Sequence, residues 1–282
     1  MHTFLNDRLL PESEALVPVS DRGFMYGDGV FETIRVHTGK TLRWFAHTER
    51  LLAGLEQIGI KPPLTPGELR AAVDELISKN DLTDGLVRIQ VTRGSGQRGY
   101  SPKGADRPTL VITSHPGPPL TDDRPKRRLL PASLRIASDS PLNRIKSINK
   151  LPNILAQAEA DNAGYDDAIL LNERDEVAET ACANLFWIRS GVVHTPPLAS
   201  GALPGITRNF VTDLAAMGEI ELTERTTSLS DLLEAEGVFL TASSRVLMEV
   251  GQIGNQPIPH SPVYDRLHQG FLYFLNKGQG LG

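Results

Sequence analysis

Ile145-Lys146-Ser147-Ile148-Asn149-Lys150-Leu151 is the stretch on which the reading of this chain turns. It sets two lysines four residues apart at the entry to a helical pattern running from Leu151 to Ala163. A lysine ahead of a helix is in most proteins a solvated charge, and these seven residues alone say no more. Two segments further along change their weight. Glu179-Thr180-Ala181-Cys182-Ala183-Asn184-Leu185-Phe186-Trp187 puts an acid and a run of small residues before an apolar strand. Small residues let a flat group approach the backbone, although a tight strand crossing would use them too. Leu203-Pro204-Gly205-Ile206-Thr207-Arg208 sets a glycine turn at the start of a helix. Free N–H groups and the helix dipole converge on an anion there; plain capping accounts for the same six residues taken alone.

Composition narrows the classes. With 282 residues the chain makes one large domain or two small ones. A net charge of −5 attracts neither nucleic acid nor an anionic membrane surface. One cysteine, Cys182, can neither staple the fold nor build a thiolate metal site, and reads as a packing residue. The seven histidines include no pair at metal-ligand spacing, so no metal is expected. Asp7 and Arg8 interrupt the N-terminus, and no apolar run approaches a bilayer span. These features lead us to expect a cytoplasmic protein.

Periodicity gives the elements. Gly29 to Val36, Leu86 to Thr92 and Thr109 to Thr113 read as strands, and Leu51, Leu52, Leu55 and Ile58 as a helix face. Thr65-Pro66-Gly67-Glu68 carries a capping box with proline in the first turn. His115-Pro116-Gly117-Pro118-Pro119 and the residues to Pro125 are the strongest linker signal. The expected division is 1–114, a linker at 115–125, and 126–282. In the second half, Ala168 to Leu171, Leu185 to Ile188, Val192-Val193 and Val238 to Leu240 read as strands. Helices are expected after Gly205, near Asp231 behind a Ser228 cap, and around Phe271 to Leu275, with Gly278 to Gly282 frayed.

Taken in order, these segments resemble the fold type IV pyridoxal-phosphate enzymes, a group of branched-chain aminotransferases, D-amino acid aminotransferases and 4-amino-4-deoxychorismate lyases. The resemblance spans nearly the whole chain. It starts at Asp21-Arg22-Gly23 and Tyr26-Gly27-Asp28-Gly29-Val30-Phe31-Glu32-Thr33. It passes Glu49-Arg50-Leu51, Lys146, Glu179 and Gly205-Ile206-Thr207-Arg208, and ends at Thr241-Ala242-Ser243-Ser244. It implies an α+β fold of two domains, a small α/β N-terminal one and a larger one with a pseudo-barrel of strands flanked by helices. It implies a homodimer, with the site in the cleft between the domains and loops of a partner closing it. The cofactor implied is pyridoxal 5'-phosphate. Lys146 matches the lysine that joins the coenzyme aldehyde, and Asn149, three residues on, selects it over Lys150, which then reads as a surface charge. Glu179 matches the acid that pairs with the pyridine nitrogen. Arg50, Ile206, Thr207 and Ser243 match the phosphate cup. Arg98, Tyr100 and Phe31 match substrate-side positions.

The reaction is read from Arg93-Gly94-Ser95-Gly96-Gln97-Arg98-Gly99-Tyr100-Ser101-Pro102, which is similar to the lyase stretch, with Gln97 in place of a glycine. Asn184-Leu185-Phe186-Trp187 is also lyase-like. D-amino acid aminotransferases carry an arginine at the Arg98 position as well, so that residue alone does not decide. Phe31-Glu32-Thr33 suits both reactions, and Thr241-Ala242-Ser243-Ser244-Arg245 departs from the lyase pattern, leaving Arg245 as an anion contact or a surface residue. The expected activity is conversion of 4-amino-4-deoxychorismate to 4-aminobenzoate and pyruvate, a step toward folate. The alternatives are an aminotransferase for D- or branched-chain amino acids and, behind it, a non-catalytic binding protein of the same fold.

Overall fold

A run buried on both sides, Gly29–His37, organises the first half of the chain: every residue of this strand but Thr33 and His37 is buried. The computed structural model describes residues 1–117, 120 and 125–277, which fall into two units. The first takes Met1–Leu120 and, out of sequence, Ile145–Asn149. Its elements are β1 (His2–Leu5), β2 (Arg8–Pro11), α1 (Arg22–Tyr26), β3 (Gly29–His37), β4 (Lys40–Thr41), α2 (Trp44–Gln57), α3 (Pro66–Lys79), β5 (Gly85–Thr92) and β6 (Thr109–Pro116). The strands form one antiparallel sheet in the order β2-β1-β6-β5-β3-β4.

α3 starts as its sequence dictates. Thr65 accepts the Glu68 N–H, the Glu68 carboxylate accepts the Thr65 N–H, and Pro66 stands in the first turn. Leu69, Ala72, Val73 and Leu76 face inward and join Leu51 and Leu55 of α2 and Ile34, Val87 and Ile112 of the sheet in one core. β1, β2 and α1 have no counterpart in the sequence reading, because four-residue strands give too few alternations to register.

Two features differ from the single cut expected at 115–125. β6 continues through His115 and Pro116, which pair with Leu86 and Gly85. Proline is tolerated there because it ends the strand. Ile145–Asn149 belongs to the first unit because it lies along the start of β3. The Phe31 N–H donates to the Lys146 carbonyl at 2.9 Å, the Ile148 N–H donates to the Gly29 carbonyl at 3.1 Å, and Val30 bridges Ser147. Residues 118, 119 and 121–124 of the expected linker, and the glycine-rich end from 278, lie outside the described residues.

The second unit comprises β7 (Arg127–Ile136), α4 (Leu151–Asn162), β8 (Asp167–Asn172), β9 (Val177–Thr180), β10 (Asn184–Arg189), β11 (Val192–Thr195), α5 (Ile206–Met217), β12 (Leu222–Glu224), α6 (Leu229–Leu233), β13 (Gly237–Ala242), β14 (Val246–Ile253), β15 (Gln256–Pro257) and α7 (Pro262–Asn276). The strands run β12-β11-β10-β13-β14-β7-β8-β9, with β15 on β14. Three pairs are parallel, β11–β12, β14–β7 and β7–β8, and the rest antiparallel. This mixed sheet curls into a half-barrel with helices against it, so the fold is α+β. Ser228 caps α6 by accepting the Asp231 N–H, as its position suggested. Among the described residues no helix is long and apolar enough to cross a membrane.

Candidate active site

In the first unit Lys146 sits in a turn beside the start of β3, not in a helix, since α4 begins only at Leu151. The two lysines therefore share no helix face. Lys150 is half-buried as the residue capping α4 and is not a plain surface charge. The half-buried Lys146 holds its Nζ 4.8 Å from the centroid of the buried Phe31 ring. The Arg88 guanidinium lies 3.9 Å from the same centroid. One aromatic ring thus carries both cations, a contact its negative faces favour.

Arg88 was not found from sequence. Its signal was a cation at an alternate position of the apolar strand Leu86 to Thr92. It is half-buried, and desolvation lowers its pKa from the ordinary value. Its one hydrogen bond reaches the Gln90 side chain at 3.2 Å, and it has no carboxylate partner among the described residues. A desolvated guanidinium without a counter-charge is a fitting place for a ligand carboxylate.

Beside Phe31 in the chain, Glu32 is 1 % exposed. Arg50 forks onto it, Nε to Oε1 at 2.7 Å and Nη2 to Oε2 at 2.7 Å, and His47 Nδ1 meets Oε2 at 2.7 Å. Burial pushes the Glu32 carboxyl up, but the hydrogen bonds from His47 and Arg50 and their charge outweigh it and hold the group at about 2. His47 shifts the other way. Burial lowers its pKa against the pull of Glu32, and the charges of Arg50 and Lys146 lower it further. Arg50, read from sequence as a phosphate ligand, is therefore held on a buried carboxylate by a two-point fork. Neither Glu32 nor His47 was assigned a role from sequence; an acid between Phe31 and Ile34 in a strand pattern was the available signal.

Arg98 and Tyr100 stand on the loop after β5, both exposed, Tyr100 by 89 %. Arg98 has no partner among the described residues. The loop itself is tied down. Asp28 accepts from Arg22 Nε at 2.9 Å and from Arg93 Nε at 2.8 Å, and Arg93 reaches the carbonyls of Ile58 and Gly59. Burial pushes the Asp28 carboxyl up, while Arg93 and Arg22 bring it below the usual carboxylate range. The glycines and serines of this stretch would suit a flexible polar loop, yet they form a braced one.

In the second unit Glu179 lies in β9 and is half-buried. Its Oε2 accepts from Asn184 Nδ2 at 3.2 Å and from the Leu203 N–H at 3.0 Å. Asn184 also donates to the Leu203 carbonyl at 2.9 Å, so it ties the acid to the turn before α5. Gly205 is the N-cap of α5, and no side chain caps the helix. The buried Ile206 and Thr207 supply its first-turn amides. A side chain at Gly205 would not fit: a Cβ there would meet Asn184 Oδ1 at 1.9 Å. Ser243 is half-buried in the turn between β13 and β14, and Arg245 beside it is exposed. On β13 the Thr241 hydroxyl is buried with no hydrogen-bond partner. An uncapped helix start and an orphaned hydroxyl fit a bound oxyanion such as phosphate. Among the described residues no group of His, Cys, Asp and Glu could hold a metal ion.

Comparison with known proteins identifies the class. The amino-transferase class IV family matches residues 29–253, and the chain belongs to that family. A putative branched-chain-amino-acid aminotransferase of Methanocaldococcus jannaschii is 35% identical over 93% of this chain and 91% of its own length. The aminodeoxychorismate lyase of Vibrio harveyi is 32% identical over 90% and 92%. The D-alanine aminotransferase of Listeria innocua is 30% identical over 99% and 98%. Among solved structures, the branched-chain aminotransferase of the thermophilic archaeon Thermoproteus uzoniensis, determined with norvaline, has a TM-score of 0.91 and 29% identity. That match covers 98% of this chain and 95% of the other. The chain is an enzyme of this family, a lyase or an aminotransferase.

Proposed function

We propose that the chain is a lyase that cleaves 4-amino-4-deoxychorismate to 4-aminobenzoate and pyruvate. The coenzyme is pyridoxal 5'-phosphate. Lys146 would bind it covalently, Glu179 would face its ring nitrogen, and Arg50, the amides of Ile206 and Thr207, and Ser243 would take its phosphate. The uncapped start of α5 supports the phosphate part of that assignment, and the fork onto Glu32 fixes where Arg50 stands. When bound, the coenzyme supplies an electron sink, a cationic heterocycle that accepts the electron pair of a broken substrate bond.

The observation that carries the lyase reading is a pair of arginines in the first unit, Arg88 and Arg98, with no carboxylate partner among the described residues. The proposed substrate bears two carboxylates, whereas a branched-chain amino acid or D-alanine bears one. In this reading Arg88 takes one carboxylate beside Phe31, and Arg98 takes the other, with Tyr100 at its side. Phe31 packs against the substrate ring and excludes water from it. Lys146 Nζ would act as the base that takes the proton from the substrate carbon that bears nitrogen. The ring carbon–oxygen bond to the enolpyruvyl group then breaks as the ring becomes aromatic, and the methylene carbon of the departing group takes up the proton to give pyruvate. Glu179, held by Asn184 and the Leu203 N–H, would pair with the ring nitrogen and keep it protonated.

The aminotransferase reading has its own support in the 35% identity to the Methanocaldococcus jannaschii relative. A substrate panel separates the two. Pyruvate release from 4-amino-4-deoxychorismate, with no keto acid formed from L-leucine or D-alanine, is the outcome expected. Rapid keto-acid production with no pyruvate from 4-amino-4-deoxychorismate overturns the lyase reading. The chain would work as a homodimer, in which exposed Arg98 and Tyr100 serve the site of a second copy.

A further inference from the structure

The side chains of α1 do something that neither the coenzyme nor the core requires. Arg22 is 3 % exposed, and each of its three guanidinium nitrogens donates a hydrogen bond. Nε donates to Asp28 at 2.9 Å, Nη1 donates to the Gly99 carbonyl at 2.8 Å, and Nη2 donates to the Tyr100 carbonyl at 3.2 Å. Tyr26 completes the grip. Its hydroxyl accepts the Gly99 N–H at 2.9 Å, and its ring meets that of Tyr100 edge-on at 5.7 Å. The Arg22 guanidinium also lies 4.9 Å from the centroid of the Tyr26 ring. Gly96 leaves room for the arm to pass, since a Cβ there would meet Arg22 Cδ at 2.9 Å. Gly99 has φ +114, a conformation other residues adopt only under strain.

Apart from the Asp28 bond, which anchors Arg22 itself, the bonds of this grip fall on the two residues that follow Arg98, and Arg98 has no hydrogen bond among the described residues. Burying a guanidinium is costly unless its donors are satisfied. Here one is met by Asp28 and two by the backbone of a loop tip whose own side chains, Gln97, Arg98 and Tyr100, stand exposed. Stability alone gives little reason to fix so polar a tip. Fixing it makes sense when the cation it carries must be met in one place.

We propose that Arg22 and Tyr26 are positioning residues: they lock the tip of the 93–101 loop so that Arg98 is held ready for a substrate carboxylate. The inference rests on the role of Arg98 given above and deepens it. Neither residue touches substrate. Their effect is to remove the conformational freedom that Arg98 would otherwise lose on binding, so they act on affinity and leave the chemical step alone.

The test uses the coenzyme-loaded enzyme with 4-amino-4-deoxychorismate and a pyruvate assay, or with the amino acid that gives keto acid should the panel select one. Three variants are compared, Tyr26→Phe, Arg22→Lys and Arg98→Ala. The first deletes one acceptor and keeps the ring, so folding is preserved even if a change at buried Arg22 is not tolerated. Expected for Tyr26→Phe is a KM raised about 3- to 10-fold with kcat within about twofold, the loss of one hydrogen bond. Amide exchange at Gly99 speeds up by a similar factor, with the melting temperature unchanged. Arg22→Lys, which cannot span two carbonyls, raises KM further at similar kcat. Arg98→Ala raises KM by about 100-fold. A large Arg98→Ala effect with wild-type KM in both α1 variants overturns the clamp and leaves the Arg98 reading standing. An unchanged KM in Arg98→Ala overturns both.

Discussion

Glu32 shows how one buried charge makes stability depend on its partners. It is ionised in the interior only because Arg50 and His47 saturate it. Glu32→Gln keeps the shape but leaves the Arg50 guanidinium without its counter-charge. We expect a loss on the order of 3 kcal/mol in unfolding free energy and weaker retention of pyridoxal phosphate on dialysis. The pH dependence follows from the shift. Burial raises the group, yet its hydrogen-bonded cations lower it from 4.5 to about 2 in the folded chain. Its stabilisation is therefore complete above 4.5 and fades as pH falls toward 2. His47 adds to acid sensitivity. Burial lowers its folded value, so below 6.5 the unfolded chain binds the extra proton. Urea melts from neutral pH downward should show the wild type losing its margin over Glu32→Gln as Glu32 is protonated. A margin that stays constant down to pH 2 would contradict the account. At this same scale, Lys146→Ala should abolish borohydride-stable attachment of the coenzyme and cut turnover by at least about 10²-fold.

At the scale of elements, α5 joins packing to the candidate phosphate cup. Gly205 is needed because Asn184 fills the space a Cβ would occupy, and Asn184 in turn holds Glu179. Gly205→Ala should displace Asn184, loosen the acid, and weaken coenzyme binding more than it lowers the melting temperature. Thr65→Ala at the α3 cap should do the reverse: about 1 kcal/mol of stability lost with unchanged KM and kcat. Coenzyme titration beside thermal melts on both variants checks the contrast. The cap of α3 was legible in sequence because Thr65 and Glu68 make a local motif, and Ser228 ahead of α6 was legible for the same reason. β7 and β14 were not. Pro131 interrupts the first, where the pairing to β8 shifts register before Arg135, and buried Glu249 breaks the apolar pattern of the second. Of the candidate site, Lys146, Glu179 and the start of α5 were singled out by the order of several segments and the family resemblance they carry, since each phrase alone has a plainer explanation. Arg88 and His47 were not, because their meaning depends on Phe31 and Glu32, which reach them only through pairing and helix packing.

At the scale of the whole molecule, the question is what covers the apolar side chains that the single chain leaves in water. In the first unit Leu16, Val19, Phe24 and Tyr100 are each more than three-quarters exposed. Solvated residues of this size on α1 and the loops near it are out of keeping with a chain that ends its assembly as a monomer. The same segments carry Arg98, exposed and without a partner among the described residues. A second copy would answer both facts at once, burying the aromatic residues and receiving the arginine. Light scattering should then give a mass twice the 30.8 kDa of one chain. Phe24→Glu places a charge among those side chains without touching the hydrogen bonds of Arg22 or Tyr26. It should shift the protein toward single chains, each folded by circular dichroism. On dilution, turnover should fall in step with the dimer fraction, because each site would lose the arginine its partner supplies. Full activity in a demonstrably monomeric Phe24→Glu protein would mean that Arg98 acts within its own chain, and the homodimer reading would have to be given up.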